Sequence, residues 1–280
     1  MYYDLHTHTV CSDGQLTPEA LVGTAAAAGV RVLAVTDHDT IEGVVAARAA
    51  AAVYDVTLVT GIEISASWEG HAVHVVGLDL RIDDDGLMGG LCRLRAIRRA
   101  RGVAIADRLA ALGVTGAHDL LGRHAAIGRG HFAQWLVQGG HARSPGQAFR
   151  LFLQRGRPAY VGVEWPMLSE VVTWLREAGG CAVLAHPTRY TLSGGRLRQL
   201  VRAFVAAGGD ALEVVSAGLD VGEMGRLARL AGQFGLRASV GSDFHDMLPW
   251  RKTPGGLADL PAGCMPVWRD RPTMQWTEKA

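Results

Sequence analysis

Short apolar runs alternate with alanine-rich segments of helical period along most of this chain, and that alternation limits the possible folds more than any other feature. The runs cover residues 30–36, 56–64, 72–78, 181–185, 211–215 and 237–241, and they are rich in Val, Leu and Ile. Strands separated by helices pair in parallel, so the expectation is an α/β protein with a parallel sheet, open or closed. Thr17-Pro18-Glu19 supplies an N-cap and a first-turn proline, and Gly29 stops the helix before the next apolar run. A βαβ unit therefore opens the chain.

From about residue 83 to 157 the strand pattern gives way to amphipathic helical sequence, LCRLRAIRRARGVAIADRLAALG and HFAQWLVQGG. The expected organisation is a barrel-sized unit from residues 1–82 and 158–280, with an inserted helical subdomain at 83–157. A chain of 280 residues, 49% hydrophobic, can bury a core of that size.

The net charge is +1, from 28 basic and 27 acidic residues, which gives no overall electrostatic footprint for nucleic acid or membrane. Arg31, Asp37, Arg48 and Asp55 interrupt the apolar stretches, and MYYDLHTHT lacks the features of a leader. Cys11, Cys92, Cys181 and Cys264 form no CxxC pair and read as reduced thiols. A cytoplasmic protein with no membrane association and no obligate protein partner is expected.

The histidines carry more information. His6 and His8, two apart on the first predicted strand, put both imidazoles on one face. Asp13 follows in the next loop. Asp37 and His38 end the second predicted strand, Glu63 the third, and His74 lies in the next; His186, Asp243 and His245 end later strands. A single such histidine is more often a hydrogen-bonded core or surface residue than a ligand. So many buried ionisable groups at one edge of a sheet need a shared counter-charge, and metal supplies it. Imidazole and carboxylate donors without cysteine suit manganese, iron or zinc. A carboxylate such as Glu63 can bridge two ions, and a hydroxide between such ions attacks a phosphate ester in line.

The ordered motifs DLHTHT, SDG, TDHD, GIEIS, HVVGL, AHP and GSDFH resemble the polymerase and histidinol phosphatase (PHP) family of metal-dependent phosphoesterases. The resemblance implies a distorted (β/α)7 barrel holding two or three divalent ions, manganese foremost, at the carboxyl ends of its strands. It places one ion with His6, His8, Glu63 and Asp243, a second with Glu63, His74 and His186, and a third with Asp13, His38 and His245. Asp13, His38, Glu63, His186 and Asp243 become the candidate catalytic residues. Asp37 is expected to orient a ligand histidine.

IGRGHFAQWLV and RGRPAYV resemble the subgroup that includes nucleoside 3′,5′-bisphosphate phosphatases and a 5′-to-3′ exoribonuclease. Arg129 and His131 sit at a predicted helix start, where amides and a guanidinium can bind an anion; with Arg157 they are the candidate substrate contacts. Arg189 is a weaker candidate, and His71, His118, His124 and His141 match no motif. The run from Arg95 to Arg101 reads as the solvated face of an amphipathic helix. The expected activity is hydrolysis of a phosphate monoester on a small nucleotide, a nucleoside 3′,5′-bisphosphate. The alternatives are 5′-to-3′ exoribonuclease action on short RNA, histidinol phosphate hydrolysis, and a non-catalytic module that binds nucleic acid or regulates a polymerase.

Overall fold

The computed structural model describes residues 2–246 and 253–275. Seven strands form on the expected runs: β1 (Tyr3–Asp4), β2 (Val32–Val35), β3 (Thr57–Trp68), β4 (His71–Leu78), β5 (Cys181–Leu184), β6 (Ala211–Ser216) and β7 (Arg237–Gly241). They lie side by side in sequence order. Helices α1 (Pro18–Ala27) and α2 (Glu42–Val53) connect the first three strands. The Thr17 hydroxyl accepts from the Ala20 amide and Pro18 occupies the first turn of α1, so the start signal works as the sequence suggests.

The wholly parallel sheet expected from the alternation does not form. β3 runs twelve residues, past Glu63 to Trp68, and β4 returns antiparallel from a two-residue turn. That turn, Glu69-Gly70, has positive φ at both positions, 44° and 77°, as a tight hairpin requires. A two-residue loop is too short for a crossover helix. β4 then pairs antiparallel with β5, and parallel order resumes through β6 and β7. Glu63 is thus mid-strand rather than at a strand end. Reversal brings the amino-terminal half of β4, with His74 opposite Ser65, to the rim where the parallel strands finish.

The barrel nearly closes between its first and last strands. Leu5 N donates to Val240 O at 3.1 Å, and beyond the strands Asp243 N donates to His6 O at 2.8 Å and His8 N to Phe244 O at 2.9 Å. Gly241 permits this approach, because a Cβ there would lie 2.2 Å from His6 Cβ. Val32, Ala34, Val59, Val76, Val183 and Ala211 share one buried cluster with Val267 and Met274 of the C-terminal segment. Period-two geometry places Glu63 on the same strand face as Val59, His74 with Val76, and Glu213 with Ala211. The apolar layer therefore continues upward into a ring of ionisable side chains.

After β4 come helical elements: α3 (Asp85–Ala111), a 3-10 turn (Ala117–Gly122), α4 (Arg129–Gln138), the single turn α5 (Pro145–Ala148) and a π-helical turn (Phe149–Leu153). Then α6 (Leu168–Glu177), α7 (Gly194–Ala206) and α8 (Val221–Gln233) alternate with the last strands. The stripe Leu87, Leu91, Leu94, Ile105 and Leu109 buries one face of α3. Its first half joins the large core around β3 and α6, and its second half a separate core with Leu120, Phe132 and Leu136.

Arg98 stands between those cores, 6% exposed. Its Nε donates to Asp39 at 2.6 Å and its Nη2 to Ser65 Oγ at 3.1 Å. The basic run is thus not wholly a solvated face, since Arg98 falls in the apolar stripe and anchors α3 to the barrel rim. Removing one member leaves an unpaired buried charge. Arg98→Met should cost about 3–5 kcal/mol in equilibrium denaturation, and adding Asp39→Asn should recover part of it. A loss below about 1 kcal/mol would place this pair with ordinary surface ion pairs.

Candidate metal centre

His6 and His8 lie just beyond β1 and flank Thr7, which bridges to Phe244. Their rings are tilted by 55° to each other with centroids 5.2 Å apart, and both turn Nε2 toward Glu63. His38 follows β2 and forms a bridge with Glu63. His186 and Asp243 follow β5 and β7 with φ of 26° and 50°, a backbone region costly for non-glycine residues that tends to cluster at functional sites.

Glu63, fully buried, lies at the centre. Its Oε1 is 2.9 Å from His74 Nδ1 and 2.9 Å from His186 Nε2. Its Oε2 is 3.0 Å from His38 Nδ1 and 3.3 Å from the Nε2 atoms of both His6 and His8. Asp243 Oδ1 lies 3.0 Å from His8 Nε2 and 3.5 Å from His245 Nδ1, while Asp13 Oδ1 lies 3.3 Å from His245 Nε2 and 3.8 Å from His38 Nε2. All nine residues singled out in the sequence as metal candidates come together. Three overlapping sets have the spacing to hold an ion: His6, His8, Glu63 and Asp243; His38, Glu63 and His74; and His8, Asp13, His38 and His245. His186 joins through Glu63 Oε1.

The donor set fits divalent cations. His6 Nε2, His8 Nε2, Asp13 Oδ1, His38 Nδ1, Glu63 Oε2 and His186 Nδ1 are buried without a hydrogen-bond partner. Such atoms are costly to leave unsatisfied. Two donors each about 2.1 Å from one ion at a right angle are about 3 Å apart, which is the spacing around Glu63 Oε2.

The electrostatics agree. Burial pushes the Glu63 carboxyl up, but His38, His6 and His74 outweigh it and hold the group well below the usual carboxylate range. Asp13 and Asp243 are held low in the same manner, against burial, chiefly by His38 and His245 respectively. Burial opposes protonation of His8, yet the adjoining carboxylates of Asp243 and Glu63 raise it to about 10. Protons on imidazole thus balance the carboxylates where a cation could do so.

Groups behind the cluster fix its orientation. Glu213 Oε2 meets His6 Nδ1 at 2.7 Å, leaving Nε2 to face the cluster, and the Ser216 hydroxyl bonds Glu213. Tyr190 Oη accepts from His74 N at 2.9 Å and donates to Ala185 O at 2.8 Å. Arg189 donates to Asp243 Oδ2. Asp37 does not touch a ligand imidazole as expected; it accepts from Thr9 N and Thr9 Oγ1 at 2.7 Å and from Ser12 Oγ at 2.6 Å, holding the turn that delivers Asp13. Glu213 performs the role the sequence assigned to Asp37. Its signal was a lone carboxylate in the apolar strand ALEVVS.

A cavity of about 720 Å³ opens beside the cluster, lined by Asp13, His38 and His74 on the barrel and by Arg101, Arg129 and Arg155 among the residues beyond α3's midpoint. Arg129 begins α4 as expected. His131 and Arg157 do not meet the expectation of substrate contacts. His131 Nδ1 accepts from Gly128 N at 3.0 Å and its Nε2 bonds Ser12 O at 2.6 Å, so neither nitrogen is left for a phosphate. Arg157 is exposed and off the cavity wall, where Arg155 stands instead. Of the unassigned histidines, His71, His118 and His141 are exposed, and His124 packs on His131.

Two outcomes follow from this geometry. Metal ligation requires a neutral imidazole, so binding should displace the His8 proton, and apparent affinity should rise as pH increases toward about 10. Calorimetric titration with manganese at pH 7 in buffers of different ionisation enthalpy should show proton release; buffer-independent heats would contradict it. Glu213→Gln should weaken metal binding about 10- to 100-fold without changing the circular dichroism spectrum, whereas wild-type affinity would make Glu213 a packing residue.

Comparison with known proteins agrees with the geometry. The PHP domain model matches residues 4–123. The chain is 41% identical over 270 residues to a 5′-3′ exoribonuclease of Haemophilus influenzae, spanning 95% of this chain and 97% of that protein. It is 39% identical over 271 residues to a 3′,5′-nucleoside bisphosphate phosphatase of Chromobacterium violaceum, spanning 95% of each. The solved structure of an amidohydrolase from Chromobacterium violaceum, with bound sulfate and no metal, matches with a TM-score of 0.90 at 39% identity over 96% of this chain and 95% of that one. With its nearly closed seven-stranded barrel and its ring of histidines and carboxylates, the chain belongs to the PHP family of metal-dependent phosphoesterases.

Proposed function

We propose that this protein hydrolyses a phosphate monoester of a nucleoside 3′,5′-bisphosphate, with manganese as its metal. The observation that carries this function is the cavity in which Asp13, His38 and His74 of the His, Asp and Glu cluster share a wall with arginines from the helical segment. Its volume, about 720 Å³, suits a nucleotide-sized ligand. The 39% identity to a bisphosphate phosphatase supports the same substrate class.

His6, His8, Glu63 and Asp243 would hold one ion, Glu63, His74 and His186 a second, and Asp13, His38 and His245 a third. Bound divalent ions supply Lewis acidity, lowering the pKa of water and neutralising charge on a transferring phosphoryl group. The chain's own groups prepare that environment. Glu213 fixes the His6 tautomer, Asp37 sets the turn carrying Asp13, and Arg189 holds the outer oxygen of Asp243 so that Oδ1 faces the histidines. Arg129, on the cavity wall, is suited to the part of the substrate that does not react.

The 41% identity to an exoribonuclease supports a second activity, stepwise removal of nucleotides from the 5′ end of short RNA at the same centre. Among the described residues no helix is long and apolar enough to cross a membrane. The four unpaired cysteines support a reducing, cytoplasmic setting.

Phosphate release should be fastest with nucleoside 3′,5′-bisphosphates in a manganese-supplemented screen that includes mononucleotides, histidinol phosphate and 5′-phosphorylated oligonucleotides. Glu63→Gln should lower kcat/KM by at least about 100-fold, beyond the cost of losing a ligand's supporting partner. Shortening of oligonucleotides with no phosphate released from bisphosphates would overturn the monoesterase assignment in favour of the exonuclease.

A further inference from the structure

Asp13 is the metal candidate farthest along the chain from its strand, in the turn at residues 10–13. No ladder of strand hydrogen bonds fixes its direction. Ser12, just before it, is instead held from two sides. Its hydroxyl donates to Asp37 Oδ1 of the barrel at 2.6 Å, and its carbonyl accepts from His131 Nε2 of the inserted helices, also at 2.6 Å. Ser12 is 2% exposed and His131 5%, so bulk water does not stand in for either partner. The Ser12 carbonyl belongs to the planar peptide that joins Ser12 to Asp13, and holding that oxygen orients the bond from which Asp13 projects.

His131 is itself fixed. Its Nδ1 accepts from Gly128 N at 3.0 Å, which leaves the ring proton on Nε2 to face the Ser12 carbonyl. Its ring packs on His124 with centroids 4.0 Å apart, and the next residue, Phe132, is buried in the helical segment's own core. The first turn of α4 also meets Asp13 directly. A Cβ at Gly130 would lie 3.1 Å from Asp13 Oδ2 and 3.4 Å from Asp13 Cβ. Glycine is unfavourable within a helix, and here its missing side chain leaves room for the carboxylate. On its other side the carboxylate turns Oδ1 toward His245 and His38, buried and without a hydrogen-bond partner.

We infer that His131 is a positioning residue for the third ion, locking the Ser12–Asp13 peptide to the inserted helices so that Asp13 Oδ1 is delivered to His38 and His245. This deepens the proposed function and rests on its third ligand set. The centre then divides in two. Every ligand of the first and second ions belongs to the barrel, whereas the third ion needs the helical segment seated against it. Displacing α4 should release that ion and leave the others in place.

The test is equilibrium dialysis of the full-length protein against graded manganese, with bound metal counted by mass spectrometry. Asp13→Asn identifies the ion that depends on that carboxylate. His131→Phe keeps a ring and loses the donor; it should weaken the same ion about 10- to 100-fold and leave the other two at wild-type affinity. His131→Gln, which retains an N–H at the corresponding atom, should restore part of the loss. Gly130→Ala favours the helix by propensity, yet its methyl group should crowd Asp13 and weaken that ion about tenfold with no fall in melting temperature in EDTA. Wild-type affinity for that ion in His131→Phe, or equal weakening of all three, would overturn the assignment. Should His131→Phe not fold, Gly130→Ala decides by the same criterion. A wild-type protein with no Asp13-dependent ion would contradict the third ligand set and take the assignment with it. Absence of phosphate release from bisphosphates, with this binding pattern intact, would count against the proposed reaction and leave the assignment standing.

Discussion

The interaction on which the site depends is the attraction between the buried Glu63 carboxylate and the imidazoles of His6, His8, His38, His74 and His186. An ionised carboxylate without water is expensive unless opposing charge surrounds it. The barrel solves this by delivering five histidines from four separate places in the sequence to its two oxygens. Protons can balance the cluster, as the raised His8 indicates, but they leave ring nitrogens and oxygens buried without aligned hydrogen bonds. Cations satisfy both charge and geometry.

Topology makes the delivery possible. Parallel strands bring their carboxyl ends to one rim, and the β3–β4 hairpin contributes there by a different route. Because β4 runs in reverse, His74 reaches the rim from its amino-terminal half, and Glu63 does so from the middle of an overlong strand. The extension of β3 past the rim shares a core with the first half of α3, and its Ser65 accepts from Arg98. The substrate cavity arises at that junction, where Arg98 reaches across to Asp39.

Much of this was legible in the sequence because metal ligands have strong chemical preferences and short local spacings. His6 and His8 declare themselves by period two, and the remaining ligands by their place beside apolar runs. The antiparallel hairpin was not legible, since Glu-Gly is a weaker turn signal than Asn-Gly and an apolar run has no direction. Supporting residues were harder still: Glu213 and Arg189 act through partners distant in the chain, so no local pattern fixes their roles. Arg98 was recoverable in principle as a cation where the helical stripe calls for an apolar side chain. His131 misled for a related reason, because a histidine at a helix start also serves as a cap, and here both its nitrogens are spent within the protein.

The central claim is that the rim cluster is a metal centre organised around Glu63, and anomalous scattering from crystals grown with manganese tests it most directly. At least two peaks should lie within ligand distance, about 2.0–2.3 Å, of the His, Asp and Glu donors, and one or more should adjoin a Glu63 oxygen. Crystals that show no peak in the cluster, or peaks placed solely elsewhere on the chain, would contradict it.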